Sequence, residues 1–123
     1  MDIVVTVPKS FQYAGKKGLA AWAAEGQLPG EPDTGREYFF TIATCPHISP
    51  GERVYVVCEG KLRGYAPLVR LDYRGNRRGL VRRGGAVAAT IPGKVAGFRG
   101  WRYRWWERDE EIPFPDWLTV RGG

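Results

Sequence analysis

Two β-favouring runs, residues 52–58 and 61–73, stand only two residues apart, and those two are Glu59 and Gly60. A chain that reverses within two residues has few ways to do so, and a tight turn with glycine at a positive φ is the standard solution. The spacing predicts an antiparallel hairpin. The rest of the sequence supplies elements to place around it.

Upstream, residues 1–7 are rich in Ile and Val, alternate little and stop at Pro8, as a buried first strand does. Ser10 is then placed to cap a helix. Phe11, Ala14, Leu19, Trp22 and Ala23 partly follow helical spacing as far as Gly26, which predicts one main helix within residues 10–25, best formed over 16–25. Residues 27–35 hold two prolines and two glycines and read as a loop. Tyr38, Phe39, Phe40 and Ile42 predict a central strand over residues 37–44, after which Pro46 and Pro50 break the chain. Downstream of the hairpin, a turn falls at Gly75 and Asn76, and short strands are expected over residues 80–82 and 86–91. Residues 94–107 form a last, strongly aromatic run. The tail, residues 108–123, is acidic and then proline-rich, and it is expected to pack back on the barrel with Trp117 and Leu118 as anchors.

At 123 residues the chain suits one core, since halves would bury too little. The expectation is a single domain over residues 1–123: α+β but mostly β, a small mixed and antiparallel barrel with one main helix near the N-terminus. The longest apolar stretches fall far short of the roughly 20 residues that cross a bilayer, so no membrane is expected as a partner. Residues 1–7 also lack the pattern of a secretory signal, which makes the cytoplasm the default location.

The two cysteines, Cys45 and Cys58, sit beside β-like runs and are expected as reduced core residues. With His47 they fall short of the four ligands of a closed zinc site, so neither metal nor cofactor is expected. His47 is also the only histidine to serve as a base for Cys45, and Pro46 distorts the chain between them. No catalytic residues are assigned, and enzymatic activity is not the leading reading.

Charge is distributed unevenly. Residues 61–105 hold 12 Lys and Arg against the single acid Asp72, while residues 1–60 and 106–123 are each net acidic, leaving +6 overall. Like charges concentrated on adjoining strands and turns favour a polyanionic partner, and arginine, outnumbering lysine here by 10 to 2, suits phosphates and base stacking. Within residues 98–107, two-residue alternation puts Arg99, Trp101, Tyr103 and Trp105 on one face. The other face carries Phe98, Gly100, Arg102, Arg104 and Trp106. The Trp101, Tyr103, Trp105 row is expected in the core. Arg102 and Arg104 then point outward beside Arg63, Tyr65 or Arg70, with Trp106 free to stack on a base. The expected nucleic-acid contacts are Arg63, Tyr65, Arg70, Arg82, Arg83, Arg99, Arg102, Arg104 and Trp106.

The run Pro50-Gly51-Glu52-Arg53-Val54-Tyr55-Val56-Val57, followed by Gly60-Lys61-Leu62-Arg63-Gly64-Tyr65-Ala66, resembles the PUA-like superfamily with its ASCH and EVE relatives. The order of elements extends the likeness over most of the chain, while the motif itself covers residues 50–69. The resemblance implies a pseudobarrel with a cleft near the helix, and a role in binding RNA or a modified nucleobase. It places Lys9, Tyr13, Lys17, Trp22 and Thr44 as possible pocket residues. Some ASCH relatives hydrolyse modified nucleosides through Lys, Thr and Glu, but their Gly-x-Lys-x-x-Glu-x-Arg signature is not intact here, where Lys16, Lys17 and Glu25 lack the spacing. The leading expectation is therefore an RNA-binding or other nucleic-acid-binding module. A small nucleoside- or nucleotide-acting hydrolase and a protein-interaction domain are the alternatives; oligomeric state is left open.

Overall fold

The strand β5 (Arg53–Cys58) is buried along almost its whole length, and so is β1 (Ile3–Val7), which pairs with it in parallel from Ile3 opposite Val54 to Val7 opposite Cys58. Strands covered on both faces need continuous apolar runs rather than alternation, which is why IVVTV and VYVVC look as they do. The structure is a computed structural model that describes residues 1–8, 10–13, 15–18, 20–21, 37–74, 77–83 and 87–113. Around β1 and β5 the sheet runs in the order β10 (Ile112–Pro113), β8 (Val87–Thr90), β6 (Lys61–Arg74), β5, β1, β9 (Trp101–Tyr103).

The predicted hairpin is β5–β6, turning at Glu59 and Gly60, both with positive φ. β6 is 14 residues long and changes partner along its length: its first half pairs with β5 and β8, and its second half, from Leu68, with β7 (Arg77–Arg83). Pro67 sits at the changeover, facing Arg53 as the last β5 pair. β7 in turn pairs with β4 (Glu37–Ile42), so the sheet curls into a half-barrel with β4 on one rim and β9 on the other. Inside the curl lie Ile3, Val5, Val7, Val54, Val56, Cys58, Ile42, Ile48, Leu68 and Leu80. A second apolar layer covers the outside of β1 and β5: Val4, Tyr55, Val57 and Leu62 pack under Val95 and Trp106, with Tyr65, Ile91 and Phe98 at its margin.

Several expectations are corrected. Among the described residues there is no main helix: Lys16–Lys17 is a short strand, β3, paired with β2 (Gln12–Tyr13). Helical backbone is confined there to Gly18, Ala20, Ala21 and a 3-10 turn at Arg108–Glu110, and residues 22–25 lie outside the described residues. Gly15, at φ 76°, stands between the two short strands and reverses the chain where apolar spacing alone suggested a helix turn. β4 ends at Ile42 and, among the described residues, pairs only with β7, which places it on a rim rather than at the centre. Cys45, beyond that end, is exposed, whereas Cys58 is fully buried. Burial, with the charge of Glu59 adding to it and Arg63 opposing, pushes the Cys58 thiol up to about 12. At the start of the tail β10 pairs with β8, while Trp117 and Leu118 lie outside the described residues. No helix among the described residues is long and apolar enough to cross a membrane.

Candidate functional site

The two rims of the half-barrel do not pair with each other, and a cleft of about 390 Å³ lies between them. Phe40, Thr41, Ile42 and Ala43 line it from the β4 side, Val5 and Thr6 from β1, and Arg99 and Gly100 from the segment leading into β9. Side-chain hydrogen bonds span the gap beside the cleft. The Trp101 indole donates to the Thr44 hydroxyl and carbonyl oxygens at 3.0 and 3.1 Å, and the Tyr103 hydroxyl accepts from the His47 amide at 3.1 Å. Both aromatic rings lean on the inner core, 4.8 Å apart and near-perpendicular, so the β9 rim is fixed relative to the end of β4.

The lining offers an apolar floor, two threonines and one exposed guanidinium. Such a mixture suits a planar ligand that carries negative charge at one end. Behind Phe40, the Arg82 guanidinium is fully buried inside the half-barrel, 5.5 Å from the Phe40 ring centroid.

Past Arg99 the chain turns onto the outer face. The Arg102 guanidinium lies 4.5 Å over the Phe98 ring, and Phe98 is pinned by its amide, which donates to the Thr6 hydroxyl at 3.2 Å. Trp105 stands beside Phe98 with 51% of its surface exposed, while Trp106 is buried at 5%. Alternation predicted the reverse for these two tryptophans. It fails because β9 stops at Tyr103: Arg104 donates to the Trp106 carbonyl, and the chain leaves the strand there. Trp106 instead caps the outer layer against Tyr55, its indole donating to Glu111 at 2.9 Å. Glu111 also accepts from the Tyr55 hydroxyl and from Arg53. Burial, followed by the Glu111 hydrogen bond, raises the Tyr55 phenol well above its ordinary value, so it remains a neutral donor.

The predicted basic face is divided. Arg63 falls at the bulge where Val56 faces Gly64 and Val57 faces Leu62; the extra residue turns its side chain inward, and its Nε donates to the Cys58 carbonyl at 3.0 Å. Arg104 and Arg108 both bind the buried Asp2 carboxylate, at 3.1 and 2.8 Å. Tyr65 sits under the Arg53 guanidinium, and Arg70 lies 3.9 Å from Asp72. β6 is three strands from β9, roughly 14 Å at the usual strand spacing, so the hairpin residues do not adjoin Arg102. What the fold brings together is Arg99 and Arg102, both exposed, at the β9 rim.

Among the predicted pocket residues, Thr44 lies beside the cleft and Lys17 is exposed on β3. Lys9 and Trp22 lie outside the described residues, as do the side chains of Tyr13 and Arg83. Sequence reasoning missed Thr6 and Thr41. Thr6 had a signal, a lone hydroxyl inside the apolar run Ile3–Val7, while Thr41 shares Glu37–Ile42 with Glu37 and the Tyr38 hydroxyl and stood out less.

No family model, curated protein or solved structure matches the chain. Geometry and the residues themselves therefore carry the functional argument.

Proposed function

We propose that this chain is a single-stranded RNA-binding module of PUA-like type, with a base entering the cleft between β4 and the β1–β9 rim and flanking phosphates meeting Arg99 and Arg102. The observation that carries this reading is the cleft itself, lined by apolar side chains, two threonines and an exposed arginine. A nucleobase offers a flat apolar face with polar edges and is tethered to an anion, which matches that lining group for group. Arg102, held flat over Phe98, presents donors to a second phosphate.

Salt dependence tests the reading, because it counts phosphates. Two or three phosphate contacts on a single strand predict affinity falling about tenfold between roughly 50 and 200 mM salt. A broad face using eight or more cations would lose on the order of a thousandfold over the same range. The Arg99→Glu, Arg102→Glu double variant is expected to lose at least about tenfold in affinity for a short fluorescent RNA, with its melting temperature nearly unchanged, since both side chains are exposed. Anisotropy titrations showing the same binding in the variant as in the parent would refute the assignment.

A further inference from the structure

Trp105 has no structural task equal to its exposure. Four large hydrophobic side chains among the described residues are strongly exposed: Met1, Val87, Trp105 and Ile112. Isolated apolar side chains at a surface are ordinary. Trp105 differs in its setting. Its ring stands 5.0 Å from Trp106 at 88° and 6.3 Å from Phe98 at 70°, so two near-perpendicular rings brace it. Trp106 is itself held by the Glu111 hydrogen bond and by Tyr55. Phe98 is held by the Thr6 hydroxyl and covered by Arg102. An indole set by two fixed neighbours yet half in water is already ordered, so a ligand stacking on it loses little further entropy.

Its position relative to the cleft follows from the chain. Arg99 lines the cleft and Phe98, the neighbour of Trp105, is the residue immediately before it. A ligand leaving the cleft past Arg99 therefore meets Phe98, Arg102 and Trp105 next. We propose that Trp105 is a second base-stacking platform, so that the ligand is a single strand of at least two nucleotides: one base in the cleft, the next on Trp105, and the linking phosphate between Arg99 and Arg102. This rests on the RNA-binding reading above and adds to it the length and strandedness of the ligand. A duplex, whose bases are already stacked on one another, has no free face to offer the indole.

The test compares uridine monophosphate with di- and tetrauridylate on the full chain. The parent protein is expected to bind the dinucleotide on the order of tenfold more tightly than the mononucleotide, one stacked base being worth about that factor. Trp105→Ala removes that gain, whereas Trp105→Phe, which keeps an aromatic face, retains most of it. The conservative variant also separates loss of stacking from loss of fold. Four results would overturn the platform: a Trp105→Ala protein with the parent's length dependence, equal affinity for a duplex of matching sequence, a Trp105-dependent dimer in sedimentation runs, or a parent that gains nothing from the second nucleotide. If the parent binds none of the three probes, the RNA-binding reading falls with it; if it binds mono- and oligonucleotides alike, only the platform does.

Discussion

Asp2 shows how a single carboxylate ties the ends of the described chain together. Its side chain is 2% exposed and accepts from the Arg53 amide, Arg104 and Arg108. Burial opposes the charged form, but the hydrogen bonds from those three residues outweigh it and hold the acid below its ordinary value. A carboxylate whose folded value is depressed stabilises the protein above the unfolded value, about 4, and that contribution disappears as pH falls through the folded value. Thermal melts should therefore show the parent losing stability below about pH 4, with Asp2→Asn less stable near neutrality by about 2 kcal/mol and converging on the parent in acid. A constant gap between the two proteins down to about pH 3 would contradict this account. The cluster was invisible in the sequence, where Asp2 is simply the residue before an apolar run and its partners lie 51 to 106 positions away. Trp105 and Trp106 were misassigned for a related reason: alternation predicts faces only while a strand persists, and it cannot see where tertiary bonds end the strand.

At the scale of elements, legibility followed locality. The β5–β6 hairpin depends on two turn residues and two adjacent runs, all readable in order, and it formed as expected. β1 was readable because burial on both faces leaves an apolar run broken only by Thr6. The misread helix had apolar spacing but also Gly15, and the chain reversal at that residue outweighed a partial periodicity. Gly64 lay beyond sequence reasoning because its reason is long-range. Its φ is 152°, and a Cβ placed there would stand 2.2 Å from the Val87 carbonyl oxygen, where β8 joins β6. Gly64→Ala should push β8, and β10 beyond it, away from the sheet, at about 3 kcal/mol or more. Urea unfolding measures that loss, and hydrogen exchange should show protection falling first at residues 87–90. A Gly64→Ala protein with parental stability would mean that β8 is not held against β6 as closely as described.

For the whole molecule, the decisive quantity is where charge ends up, and net charge by sequence block leaves that open. Among the described residues, the block 61–105 sends Arg63 and Arg82 inward, commits Arg104 to Asp2, leaves Arg99 and Arg102 on the rim beside the cleft, and exposes Lys61, Arg70 and Lys94 elsewhere. Composition counts cations without knowing which strand bulges or which acid lies nearby. The same distribution sets a boundary on the proposed RNA path. Glu107, Asp109 and Glu110 are exposed in and just before the 3-10 turn that begins three residues after Trp105, and Glu107 and Glu110 close on each other in a reciprocal cap. A strand crossing Trp105 meets three acids that follow it two to five residues along the chain, and exposed charges still act on one another at about one Debye length, roughly 10 Å at 0.1 M salt. At that distance each acid costs a phosphate about 0.4 kcal/mol in water before screening. Affinity should therefore stop rising after two or three nucleotides, because further phosphates run into the acids. Replacing the three by Gln, Asn and Gln keeps the capping geometry and removes the repulsion. The triple variant is expected to bind tetrauridylate about two- to fivefold more tightly than the parent at low salt, with the difference vanishing by about 0.5 M. Uridine monophosphate should bind the two proteins alike, since a nucleotide confined to the cleft lies on the far side of Arg99 from the acids. An equal gain for both probes would show that the acids act on the protein's general field rather than on a strand passing Trp105, and an absent gain for the longer one would move the path away from Trp105 altogether.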